Sequence, residues 1–237
     1  MEKIIDGKDL GSIIVRKNPK AKHYSLRVVD GKIIATIPKN GTESGVMSFI
    51  NSKREQLRRM LTKNLKRPVI DENCQMKTFT FELHVFRTQR TNIYISLKKG
   101  ILHIACPAET DFNNKQIQQT LWAIISKMMR VEAIHILPAR LAMLASLHGF
   151  QYTGVAIRTT KSRWGSCSTK KRINLSSSLM LLPEHLIDYV ILHELCHTVE
   201  MNHSERFWSL MNKVTNGCSQ KLRKELKMFP VYTGITS

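Results

Sequence analysis

The amino-acid sequence predicts an α+β protein, with a β-rich N-terminal region over 1–112 built of two β-hairpin-plus-helix units and a largely helical domain over 113–237 that carries a small sheet. Three observations predict it. Two segments share one plan of β-branched runs split by a glycine turn and closed by proline. A long stretch at 114–148 is rich in Leu, Ile, Met and Ala with no such punctuation. The remainder pairs two short strand-like runs with two helix starts. At 237 residues with 42% apolar and 23% charged composition, the chain is ordinary globular material. A chain of this size buries roughly 70% of its unfolded surface, so it needs no metal or disulfide merely to stay folded.

The first unit reads Ser12-Ile-Ile-Val-Arg, Tyr24-Ser-Leu-Arg-Val-Val, an Asp30-Gly31 turn, Lys32-Ile-Ile-Ala-Thr-Ile and Pro38, with a helix from about Thr42. The second reads Phe81-Glu-Leu-His-Val-Phe, Ile93-Tyr-Ile-Ser-Leu, a Lys99-Gly100 turn, Ile101-Leu-His-Ile-Ala and Pro107, with a helix after Asp111. Gly31 and Gly100, like Pro38 and Pro107, stand 69 positions apart. The first helix, over 44–64, sets Lys53, Arg54, Arg58, Arg59 and Lys63 opposite Phe49, Ile50, Leu57 and Leu61, an amphipathic pattern with a basic face. In the helix over 114–148, Gly149 supplies the stop and Pro138 is expected to kink it or start a second helix. Val155-Ala-Ile-Arg-Thr and Arg172-Ile-Asn-Leu-Ser read as strands around a loop. Pro183 then opens a helix to about Glu200, and Ser204 caps a last one to about Thr215.

Lys and Arg number 37 against 18 Asp and Glu, a formal charge of +19. Residues 1–70 hold 16 basic and 6 acidic side chains, a net of +10, so nucleic acid is an open partner through this basic surface. The start, Met1-Glu-Lys-Ile-Ile-Asp-Gly-Lys-Asp, lacks the layout of a secretory signal, and no run of about 18 uncharged apolar residues exists. A cytoplasmic location without a membrane partner is therefore expected; no oligomeric state is implied. The five cysteines form no C-x-x-C pair and suit free thiols in a reducing compartment.

The chemistry concentrates in Ile191-Leu-His193-Glu194-Leu-Cys-His197-Thr-Val-Glu-Met-Asn-His203. His193 and His197 are i and i+4 on a helix, so both rings leave one face and their nitrogens can meet one ion. A catalytic zinc needs three protein ligands and an open fourth position, and His203 is the natural third. Asn202, a residue tolerant of the left-handed conformation, is expected to reverse the chain toward that ion. Glu194 points beside the ion, where a base for water belongs. With 9 histidines and 12 glutamates in the chain, three histidines at this spacing with the adjoining Glu are expected by chance roughly 0.0007 times. Cys196 reads as a small buried hydrophobe. His23, His84, His103, His135, His148 and His185 stand at unrelated spacings and are assigned no chemistry. Arg163, in Arg163-Trp164-Gly165-Ser166-Cys167, is a candidate for stabilising an oxyanion or binding substrate backbone. Gly165 suits close approach of a peptide, and Trp164 reads as packing. Phe207 and Trp208 read as packing beneath the ligands.

Lys161-Ser-Arg163-Trp164-Gly165-Ser166-Cys167, Arg172-Ile-Asn-Leu, Leu182-Pro183, Tyr189-Val-Ile-Leu-His193-Glu-Leu-Cys-His197, Met201-Asn202-His203-Ser204 and Phe207-Trp208 together resemble the YgjP-like family of zinc metallopeptidases. The resemblance is dense over about 155–210, and the preceding β-rich region is similar to the family's amino-terminal half. It implies a zincin-like metallopeptidase domain with a small sheet and an H-E-x-x-H active-site helix, related to SprT and Spartan proteases. It also implies Zn2+ as cofactor, His193, His197 and His203 as ligands, and Glu194 as general base. Metzincins share the ligand spacing but place a glycine where this chain has Glu200, which separates the two groups.

The expected activity is hydrolysis of peptide bonds in a peptide or protein substrate, with an extended substrate pairing along an edge at 172–176. Two other readings stay open: a nucleic-acid-associated protein, including a protease recruited to DNA, and a metal-dependent hydrolase of a non-peptide bond.

Overall fold

The computed structural model describes residues 2–29, 32–57, 68–160 and 163–229. Its contacts gather into two compact units, Met1–Lys66 and Arg67–Ser237. The break placed at 112/113 from sequence falls within the second unit, because the second hairpin unit shares a buried cluster with the long helix that follows it.

In the first unit, β1 (Glu2–Asp6), β2 (Ser12–Lys17), β3 (Ser25–Val29) and β4 (Lys32–Ile37) form a sheet of order β1-β2-β4-β3. Strands β2 and β4 run parallel, with Ile13 opposite Ile33 and Val15 opposite Ala35. These side chains are buried, so the alternation read from sequence turns one face of the sheet inward. Helix α1 (Glu43–Ser52) starts at Thr42, whose hydroxyl accepts a hydrogen bond from the Gly45 N–H, and buries Val46 and Ile50 against that face. The basic helix expected over 44–64 is thus interrupted: Lys53 caps α1, and Arg54 turns back to the Gly7 carbonyl (3.2 Å) and the Asp9 carboxylate. Arg58, Arg59, Leu61 and Lys63, like the Asp30-Gly31 turn, lie outside the described residues.

The second unit opens with β5 (Glu82–Thr88), β6 (Tyr94–Lys98) and β7 (Ile101–Pro107), in the order β5-β7-β6. This repeats β2-β4-β3, down to a parallel outer pair and an antiparallel hairpin. Lys99 and Gly100 both take positive φ, 50° and 75°, the geometry of a two-residue hairpin turn that follows the strand twist. Leu83, Val85, Leu102 and Ile104 enter one core with Leu121, Trp122, Ile125 and Met129 of α2 (Lys115–His148). Helix α2 begins at the Asn114 cap and ends at Gly149, where φ is 72°. It runs through Pro138 as one helix rather than two, with Leu137 and Leu141 both fully buried around the proline.

Strands β8 (Gly154–Arg158), β9 (Gly165–Cys167) and β10 (Arg172–Ser176) follow in the order β8-β10-β9. The strand expected to offer a free edge, β10, is therefore central; β9 is an edge instead. Helix α3 (Glu184–Cys196) is apolar on nearly every side, with Leu186, Ile187, Tyr189, Val190, Ile191, Leu192 and Leu195 all buried, so it is a core helix. Arg140 of α2 clamps it through both Asp188 oxygens and Glu184 (2.7 Å to Glu184). Helices α4 (Glu205–Val214) and α5 (Ser219–Leu226) close the unit. Sequence reading foresaw the first of these and not the second. No helix among the described residues is long and apolar enough to cross a membrane.

Candidate metal centre

His193 sits in the last turn of α3 and His197 is its C-cap. The helix ends at Cys196, four residues earlier than expected, because Thr198, Val199 and Glu200 donate their N–H groups back to Leu195 and Cys196 carbonyls in tight turns. These turns reverse the chain; Asn202 keeps an ordinary negative φ, contrary to the expected left-handed conformation. Ser204 then caps α4 through the Phe207 N–H (3.4 Å), which brings His203 back over the end of α3.

The three rings converge through their Nε2 atoms. His193 Nε2 lies 3.2 Å from that of His197 and 3.0 Å from that of His203. One ligand nitrogen from each ring lies within 4.8 Å of the others, and this is the cluster of three such side chains found among the described residues. Their chemistry suits a cation. His197 Nδ1 is 3.0 Å from the Glu200 carbonyl, an atom that only accepts, so Nδ1 carries the proton and Nε2 presents its lone pair to the cluster. Burial, with the charges of His197, His203 and Arg223, pushes His193 down to about 3. Burial, His197 and Arg223 lower His203 as well. Neutral imidazoles with converging lone pairs are what a divalent ion needs.

Aromatic packing holds the rings. Phe207, fully buried, stacks on His197 at 4.6 Å and meets His193 and His203 at 4.9 and 4.7 Å. Trp208 lies 5.9 Å from His203, and the Arg223 guanidinium of α5 sits 4.7 Å over the Trp208 ring.

Glu194 is 5% exposed and its Oε2 has no hydrogen-bond partner. Burial pushes its carboxyl up to about 8, against the opposing charge of Arg163. Such a group can take and return a proton near neutral pH. Its seat is made by Gly165 of β9: a Cβ there would lie 2.7 Å from Glu194 Cγ and Oε1. The glycine read as room for a peptide is thus room for the carboxylate. An isolated glycine within a strand pattern signals a close approach, though not what approaches. Arg163 is exposed, two residues before β9, and its carbonyl accepts from Thr160 Oγ1 (2.6 Å). Trp164 is half-buried against the core. Cys196 is fully buried, its thiol pushed up to about 12 by burial, an inert core residue.

A family model described as the YgjP-like metallopeptidase domain matches residues 22–229. The chain belongs to the YgjP-like family. Its match spans both compact units, so the β3–β4 and β6–β7 hairpins fall within the YgjP-like domain as much as helix α3 does. Among solved structures, the metallopeptidase zymogen abylysin of Pyrococcus abyssi is similar at 27% identity, covering 37% of this chain and 89% of that one with a TM-score of 0.34. Comparison with curated proteins gave no match.

Proposed function

We propose that this YgjP-like metallopeptidase holds Zn2+ on Nε2 of His193, His197 and His203 and cleaves peptide bonds with Glu194 as its proton carrier. The observation that carries the reading is the convergence of three imidazoles beside a buried carboxyl. Three nitrogen ligands leave zinc an open position, the pattern of catalytic rather than structural sites. When bound, zinc supplies Lewis acidity that polarises a carbonyl and makes water a stronger acid. Glu194 accepts the proton of the attacking water and returns it to the departing amine. Arg163, whose charge acts on Glu194, would bind substrate backbone or steady the developing oxyanion. Strand β9 offers an edge on which an extended peptide or protein segment can pair. The alternative of nucleic-acid association draws on the +19 charge and the basic N-terminal residues.

Metal analysis of the purified chain, alongside cleavage of an unbiased peptide library, tests this reading. Wild type should hold about one tightly bound zinc and cleave, whereas Glu194→Gln should hold the zinc and not cleave. Full activity of the variant would remove Glu194 from the mechanism, and a zinc-loaded wild type that cleaves no peptide would point to a non-peptide bond.

A further inference from the structure

We propose that His84 and His103 form a second, weaker site for a divalent transition-metal cation of the Zn2+, Ni2+ or Cu2+ type, on the outer face of the β5-β7-β6 sheet. These two residues were assigned no chemistry from sequence, because 19 positions and a whole strand separate them. The fold removes that separation. Strands β5 and β7 pair in parallel with His84 directly opposite His103. Their neighbours Leu83, Val85, Leu102 and Ile104 are buried, so both imidazoles stand on the face turned away from the core.

The two Nδ1 atoms lie 3.3 Å apart. A neutral imidazole carries one N–H and one lone pair. Two Nδ1 atoms at this distance are therefore complementary only with a proton or a cation between them, and two bare lone pairs would repel. Zinc binds imidazole nitrogen at about 2.0–2.1 Å in tetrahedral geometry, which places two ligand nitrogens about 3.3–3.4 Å apart. The sheet holds that separation in place, close to the 3.2 and 3.0 Å of the three-histidine cluster.

The rings are also restrained. Phe86, two residues along β5, stacks on His84 at 5.2 Å and meets the edge of His103 at 6.2 Å. Among the described residues neither ring makes another hydrogen bond, so the proton shared between the two Nδ1 atoms is what an ion must displace. Glu82, on the same face, is engaged by Lys77 at 2.8 Å. The donor set is thus two imidazoles plus solvent, which favours borderline metals over Mg2+ or Ca2+. With two ligands in place of three, on an open face, this site holds its ion more weakly than the cluster at the end of α3.

Titration of the metal-free full chain with ZnCl2, followed by calorimetry and by NMR of the imidazole nitrogens, tests the proposal. Wild type should take up about two ions per chain in two affinity classes, with the Nδ1 resonances of His84 and His103 shifting in the weaker class. The double variant His84→Gln/His103→Gln should lose the weaker class, keep the tighter one and keep whatever hydrolysis wild type shows. A single class in wild type at millimolar zinc, or a weaker class that survives in the double variant, would overturn the assignment. Neither result bears on the peptidase reading, which stands or falls on the tighter class and on Glu194.

Discussion

The three-histidine cluster and the His84–His103 pair hold their nitrogens at nearly equal separations, 3.0 to 3.2 Å in one and 3.3 Å in the other. They reach it by different means. The pair is made by strand register, whereas the cluster is made by a helix end, a reversed chain and a capped second helix. Correct spacing is therefore readily reached. What sets the cluster apart is its surroundings: a backbone carbonyl that selects the tautomer of His197, a buried phenyl ring under all three imidazoles, and an adjacent buried carboxyl. The pair lies on the outer sheet face, with Phe86 beside its rings.

Removing the features that differ should break this contrast in graded steps. The largest effect is expected from Glu194→Gln, since general acid–base catalysis contributes roughly 10²–10⁴-fold; kcat/KM should fall by about 10³-fold at unchanged zinc content, read by steady-state kinetics with metal analysis. Phe207→Ala should cost about 3–5 kcal/mol of stability in urea unfolding, and by loosening the ligand rings weaken zinc binding about 10- to 100-fold. Equal zinc affinity in that variant would mean that ring packing does not distinguish the cluster from the pair. Stripping zinc should remove the stabilisation that ligand binding confers, about 2.7 kcal/mol at a free zinc concentration 100 times Kd, and lower Tm by roughly 5–10 °C. The same drop is expected in His84→Gln/His103→Gln. Gly165→Ala should cost about 1–3 kcal/mol by overpacking and, by pushing the Glu194 carboxyl aside, lower kcat more than it raises KM. An unchanged kcat would show that the carboxylate seat tolerates a methyl group.

Local chemistry explains what was legible from sequence. The Lys99-Gly100 turn, the Asn114 cap, the Gly149 stop and the Ser204 cap each act within a few residues, and each falls where its residue type requires. The histidine spacing was legible for the same reason, since i, i+4 neighbours share a helix face whatever surrounds them. Features set by distant partners were not. The end of α3 at Cys196 depends on turns that no single residue announces, and Asn202 was credited with a reversal that backbone hydrogen bonds perform. The central place of β10 follows from parallel pairing with β8, and the Gly165 contact with Glu194 crosses from a strand to a helix. Helix α5, only eight residues long and mostly polar, carries no long apolar stripe to betray it, yet it supplies the Arg223 that covers Trp208. The His84–His103 pair needed the register of two strands joined through a third.

X-ray absorption at the zinc edge, on protein loaded with one equivalent, tests the central claim most directly. Three histidine nitrogens at about 2.0–2.1 Å, falling to two in His203→Ala, is the predicted result. Sulfur scattering at about 2.3 Å, or a first shell that His203→Ala leaves unchanged, would contradict it.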